Sequence, residues 1–208
     1  MKVELLNHTP LNIADIAICK CYGNEPHSDE DKVKNRINRV ANVSKHASVI
    51  EHLVYSFDID GISRACLQEL ARHRIASYTV KSSRYTLQEL KDEQSFIYKN
   101  NIIPEGKYRA MKYIVDCNNL RVNTASIYAL ENLRELLLND TPNDIAKYCM
   151  PEAYKTSLVI TINARTLQNF LTLRTSKKAL WEIQLLAKSM YEVLPDNHKF
   201  LFNGCING

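Results

Sequence analysis

Glycine scarcity does most to limit the folds open to this chain. Gly23, Gly61, Gly106, Gly204 and Gly208 are the only glycines among its 208 residues. Neither GxGxxG nor GxxxxGK can be assembled from them, which excludes the dinucleotide-binding βαβ turn and the P-loop. A nucleotide bound here must be gripped by side chains rather than by a glycine-lined backbone cradle. The hydrophobic pattern agrees, because strands and helices do not alternate as a Rossmann fold requires.

Two strands stand out. In 53-LVYSFDID-60, Leu53, Tyr55, Phe57 and Ile59 alternate with smaller or polar residues, and in 157-SLVITIN-163 so do Leu158, Ile160 and Ile162. Helical spacing is read over 31–52, over 64–72 with Ser63 as cap after a turn at Gly61, and over 124–138 up to Pro142. It is read again over 164–174 with Asn163 as cap, and over 177–194 between Thr175 or Ser176 and Pro195. The expectation is one α+β domain over residues 1–208, a mixed sheet of a few strands packed with several helices.

Composition narrows the partners. A net charge of +4 is small and argues against a non-specific nucleic-acid binder. No apolar run reaches the roughly 18 residues of a membrane span, and the acidic, proline-containing N-terminus lacks the apolar core of a signal peptide. Cys19, Cys21, Cys66, Cys117, Cys149 and Cys205 are scattered and are read as reduced thiols of a cytoplasmic protein. His46 and His52 flank Glu51 without zinc spacing, so no metal is expected and a structural Glu–His pair is the alternative.

Charge is instead concentrated in 72-RHRIASYTVKSSRY-85. One cation at a helix C-terminus would satisfy its dipole, but Arg72, His73 and Arg74 stand together there, with Lys81 and Arg84 beyond. In an extended segment Ser82 and Arg84 would share a side. Forked guanidinium donors and a short hydroxyl suit a phosphate monoester; a solvated basic face is the plainer alternative. A second cluster is Asn163, Arg165 and Asn169, with Arg174 beyond. Arg165 and Asn169 share a helix face, and asparagine can both donate to and accept from the edge of a heterocycle. Taken alone, that cluster reads equally as a cap and surface arginines. No nucleophile–base pair stands out.

These residues resemble the flavin-dependent thymidylate synthase family. Arg72-His73-Arg74, seven residues, then Ser82 is similar to the family's RHR-x7-S signature. Upstream lie His46, Ser48, Glu51-His52 and 61-GISRAC-66; downstream lie Pro151 and 163-NARTLQNFLTLR-174. The blocks run from about residue 46 to 194. The resemblance implies methylation of dUMP to dTMP with 5,10-methylenetetrahydrofolate as carbon donor, FAD as redox cofactor and NADPH as reductant, without a cysteine nucleophile. It implies a homotetramer whose active sites are shared between subunits.

Carried over by position, the resemblance puts His46, Ser48, Arg72, His73, Arg74, Val80, Asn163, Arg165 and Asn169 on FAD. It puts Glu69, Arg72, Ser82, Ser83, Arg84, Lys147 and Arg174 on dUMP, with Arg72 reaching it from a neighbouring chain. The resemblance makes Arg174 the expected catalytic residue, a fixed cation against the uracil that would favour ionisation at N3. Four positions depart from the family pattern. Glu69 replaces a usual glutamine and is expected to pair with an arginine or accept from a ribose hydroxyl. Val80 offers no side-chain hydrogen bond, Lys147 replaces an arginine, and Lys178 replaces a late histidine. Two other readings of the basic stretch are an RNA- or nucleotide-binding module and a flavin NADPH oxidase that has lost methyl transfer.

Overall fold

The computed structural model describes residues 1–207. In chain order its elements are β1 (Lys2–His8), α1 (Asn12–Tyr22), α2 (Glu30–Ile37), β2 (Val54–Ser63), α3 (Arg64–Leu70), β3 (Ala76–Val80), α4 (Ser83–Thr86), β4 (Ile97–Tyr98), β5 (Asn101–Ile102), α5 (Pro104–Ala110), α6 (Leu120–Leu138), α7 (Asn143–Ala146), β6 (Lys155–Asn163), α8 (Ala164–Arg174) and α9 (Trp181–Glu192). A π-helical turn covers Asn38–Val43, and 3-10 turns include Ala47–His52 and Asp196–Phe202. The fold is α+β and not a Rossmann fold. The chain divides into two compact units.

The first unit comprises Met1–Asp60, Glu69–Thr79 and the chain from Leu158 onward. It is organised on a four-stranded sheet of order β1-β2-β6-β3. β1 and β2 are antiparallel, pairing Val3 with Ile59, Leu5 with Phe57 and His8 with Tyr55 across an irregularity between Leu5 and Asn7. The alternation read from the sequence is present: Tyr55, Phe57, Ile59, Leu158, Ile160 and Ile162 are all buried. Burying each such side chain contributes about 1.5–3 kcal/mol, so this period-two pattern fixes which strand face turns inward. α8 packs on α9 and on the Ala47–His52 turn, and α9 packs on β1. Beneath them Tyr55 Oη meets His198 Nδ1 at 2.8 Å. Burial, and secondarily the neighbouring His8, push the His198 imidazole down to about 4.

The second unit comprises Gly61–Gln68 and Val80–Ser157. Its core gathers Leu87, Leu90, Phe96, Tyr113 and Ile114 around Ile127, Leu130, Leu133 and Leu137 of α6. The inner stripe of α6 is the one its sequence spacing indicates. Glu131, on the same face, is buried and satisfied by the Ser95 hydroxyl and the Phe96 amide, each at 2.8 Å, and by Arg134 at 2.7 Å. Gly106 has a steric reason to be glycine. A Cβ there would lie 2.2 Å from the Phe96 carbonyl oxygen.

Several expected elements differ in extent. The helix read over 31–52 is broken: α2 ends at Ile37, a π-helical turn follows, and Lys45 at φ 59° lets the chain re-enter as a 3-10 turn. Gly61 does not turn the chain. It sits inside β2 at φ 77°, and the strand runs on to Ser63, whose Oγ accepts from the Cys66 amide at 3.0 Å. Neither Thr175 nor Ser176 caps the last helix, which starts only at Trp181. Thr175 ends α8 instead, its hydroxyl donating to the Leu171 carbonyl at 2.8 Å. The hairpin β4–β5 is too short to leave an alternating pattern, and β3 lies hidden inside the basic stretch.

Candidate functional site

Two junctions build the site in the first unit. After α3 the His73 amide bonds the Leu70 carbonyl at 3.1 Å, closing a turn that presents Arg72, His73 and Arg74. Tyr78 locks this turn by bringing its hydroxyl 2.7 Å from the His73 carbonyl and 3.0 Å from that of Leu70. Burial pushes the Tyr78 hydroxyl up to about 12. At the second junction β6 passes directly into α8, and the Asn163 side chain caps the helix by accepting from the Thr166 amide at 2.8 Å. That cap sets the register that carries Arg165, Asn169 and Arg174 along α8.

The two junctions face one cavity of about 1150 Å³, lined by Glu69, Arg72, His73, Arg74, Asn163, Arg165, Asn169 and Arg174 among others. The volume is slightly above the range of about 300–1,000 Å³ that small-molecule and cofactor pockets usually occupy, so there is room for a ligand of cofactor size. Its charge is lopsided. Glu51 pairs with Arg165 at 2.5 Å, and Glu69 pairs with Arg174 at 2.6 Å. Arg72, Arg74 and Lys178 also line the cavity and have no carboxylate partner among the described residues. Three uncompensated cations in a concave site attract an anion.

Arg174 is the most constrained of these groups. Its Nη1 bonds the Glu69 carboxylate at 2.6 Å, its Nη2 the Glu69 carbonyl at 3.0 Å, and its Nε donates to His73 Nε2 at 3.0 Å. His73 is buried and packs edge-on against Phe170, with centroids 5.0 Å apart and planes at 82°. Burial foremost, and then the Arg174 charge, hold its imidazole down to about 4, with Glu69 opposing. Glu69 thus does pair with an arginine. Glu51, by contrast, joins Arg165 rather than a histidine.

Not every expected residue meets at this cavity. His46 and Ser48, both exposed on the turn before β2, do not line it. Val80, Ser82, Ser83, Arg84 and Lys147 belong to the second unit. There Ser82 and Arg84 are not successive same-side residues of a strand. The strand stops at Val80, Ser82 is the last extended residue, and Arg84 lies in the helical turn α4. The Ser82 carbonyl drives this change by accepting from the Tyr85 and Thr86 amides at 3.1 and 3.2 Å. Arg84 lines a smaller cavity of about 470 Å³, where the Asn143 side chain donates to its carbonyl at 2.7 Å.

The sequence reading missed Asn207, which lines the main cavity and donates through Nδ2 to the Thr172 carbonyl at 2.7 Å. Its amide also bonds Thr175 Oγ1 at 2.9 Å. No local pattern marks a residue that reaches the site only through the folded tail. None of the six cysteines lines the cavity.

The family model described as "Thymidylate synthase complementing protein" matches residues 4–198. The chain is 57% identical to a flavin-dependent thymidylate synthase of Wolinella succinogenes over 210 residues, covering 100% of this chain and 98% of that protein. It is 51% identical over 209 residues to one from Helicobacter pylori, covering 99% of each. Among solved structures, a crystal structure of thymidylate synthase X from Helicobacter pylori with FAD and dUMP superposes with a TM-score of 0.93 at 50% identity, covering 100% of both chains.

Proposed function

We propose that this chain, which belongs to the flavin-dependent thymidylate synthase family, is an FAD-dependent enzyme that methylates dUMP to dTMP. In the full reaction dUMP, 5,10-methylenetetrahydrofolate, NADPH and a proton become dTMP, tetrahydrofolate and NADP+. The observation that carries this reading is the convergence of Arg72, His73, Arg74, Asn163, Arg165, Asn169 and Arg174 on one cationic cavity. The FAD- and dUMP-containing Helicobacter pylori structure, half identical in sequence, supports the same assignment. Bound FAD supplies the hydride relay between NADPH and the transferred one-carbon unit.

The donor set fits both nucleotides. Arg72 and Arg74 are exposed, have no protein acceptor among the described residues, and suit the anionic groups of FAD. Asn163, Asn169 and Arg165 offer donors and acceptors to the rest of the cofactor, with His46, Ser48, His73 and Val80 as further flavin contacts. Ser82, Ser83, Arg84 and Lys147 hold the dUMP phosphate and sugar, and Glu69 accompanies Arg174 at the base. Arg174 presents a guanidinium that can only donate hydrogen bonds, and it favours the N3 anion of uracil, which makes C5 electron-rich. The absence of cysteine from the cavity lining supports a route without a thiol attacking the pyrimidine.

The reading extends to one catalytic domain spanning the chain, assembled as a homotetramer with shared active sites and needing neither nucleic acid nor membrane. Arg72, without a carboxylate partner among the described residues, is available to a neighbouring subunit's dUMP. The scattered cysteines, read as reduced thiols, support a reducing, cytoplasmic setting. The test is direct. The purified protein should carry a flavin spectrum that bleaches with NADPH in the presence of dUMP, and should form dTMP once the folate is added. A colourless protein that takes up no FAD, or NADPH oxidation with no dTMP, would refute the reading.

A further inference from the structure

Arginine can only donate hydrogen bonds. The nitrogen facing Arg174 Nε across 3.0 Å, His73 Nε2, must therefore carry a lone pair, and the proton of a neutral ring must sit on Nδ1. The surroundings keep the ring that way. His73 is only 6% exposed, stands edge-on to Phe170, and its backbone carbonyl is tied to Tyr78. Burial and the adjacent guanidinium both oppose protonation. On the other side Glu69 takes one N–H from each terminal nitrogen of Arg174, through its carboxylate and its carbonyl. Three of the five guanidinium N–H groups are thus engaged. One remains on each terminal nitrogen, on a side chain that lines the cavity.

We infer that His73 is a positioning residue for Arg174: its Nε2 lone pair fixes the guanidinium plane, so that the two remaining N–H groups are held for the pyrimidine. This role is separate from any contact His73 makes with flavin, and it rests on the dUMP-methylating reading above. An untethered arginine would sample many rotamers and lose the orientation on which stabilisation of a developing anion depends.

The test uses the FAD-loaded enzyme, with turnover expressed per bound flavin. His73→Leu removes the acceptor and should lower kcat for dTMP by about 10- to 100-fold, the scale of a hydrogen bond to a charged group. His73→Gln restores an acceptor oxygen and should recover most of that loss. Arg174→Lys keeps the charge but has no Nε–H, so in that background His73→Leu should have no further effect. Equal loss in both backgrounds, or a glutamine variant no better than leucine, would overturn the inference. Should the leucine variant not fold, ring 15N shifts in histidine-labelled wild-type enzyme decide the matter. A protonated Nδ1 with a bare Nε2 supports the role, and an Nε2–H ring refutes it. Wild-type dTMP formation is scored separately, so failure of the parent reading is distinguishable from failure of this one.

Discussion

At the scale of single residues, Arg174 and Arg84 have opposite surroundings. Arg174 is enclosed, its side chain 15% exposed and bonded to Glu69 and His73. We expect Arg174→Ala to abolish dTMP formation while the protein keeps FAD, because none of the residues assigned to the flavin is removed. Turnover assays paired with flavin absorbance check this, and near-normal turnover would remove Arg174 from the chemistry. Arg84 is exposed, and its guanidinium stands 5.7 Å from the Tyr85 ring centroid. Its substitution by alanine should weaken dUMP binding by about 1.5–3 kcal/mol, the usual scale for a hydrogen bond to a charged group. Calorimetric titration of dUMP measures it, and an unchanged Kd would exclude Arg84 from the phosphate site.

At the scale of elements, caps decide where helices begin. The Asn119 side chain accepts from the Arg121 and Val122 amides at 3.1 and 3.2 Å, opening α6. Asn119→Ala should cost about 1 kcal/mol of stability, seen as a lower urea midpoint with no change in flavin affinity. Elements with a strong period and a local cap were legible in the sequence: α8 starts at its Asn163 cap and ends at Arg174 as its apolar spacing indicates. The segment after β3 was not. Whether 81–84 continues a strand or bends into α4 depends on which amides reach the Ser82 carbonyl, and residue type does not encode that. The same holds for Lys45, whose positive φ is tolerated at one position and interrupts an otherwise helical pattern. Within the site, the basic motif and the NAR segment were legible as two donor clusters and line one cavity, but Asn207 joins it only through tertiary contact.

At the scale of the molecule, His73 and His198 together give the fold an acid limit. Both rings are buried neutral and held down to about 4, against an ordinary 6.5 in the unfolded chain. Between those values the unfolded chain binds protons that the folded chain refuses. Stability is therefore full above about 6.5, falls as the pH is lowered through this window, and levels off below about 4. Each ring contributes on the order of 3 kcal/mol at most. Urea midpoints followed from neutral pH down through the window should decline, and a flat profile would contradict the buried-neutral assignment. Size-exclusion chromatography with light scattering should give a tetramer, since an active monomer would contradict shared active sites.

The strand order carries a consequence for how the chain is made. β6 lies between β2 and β3, yet it is the last of the four to leave the ribosome. At synthesis rates of about 5–20 residues per second, roughly 5–20 seconds separate the end of the first sixty residues from the arrival of Leu158. Through that interval β2 has β1 on one side and an open edge on the other. The nascent chain is then most in need of a chaperone, and a ribosome stalled before residue 158 would release a product prone to aggregate.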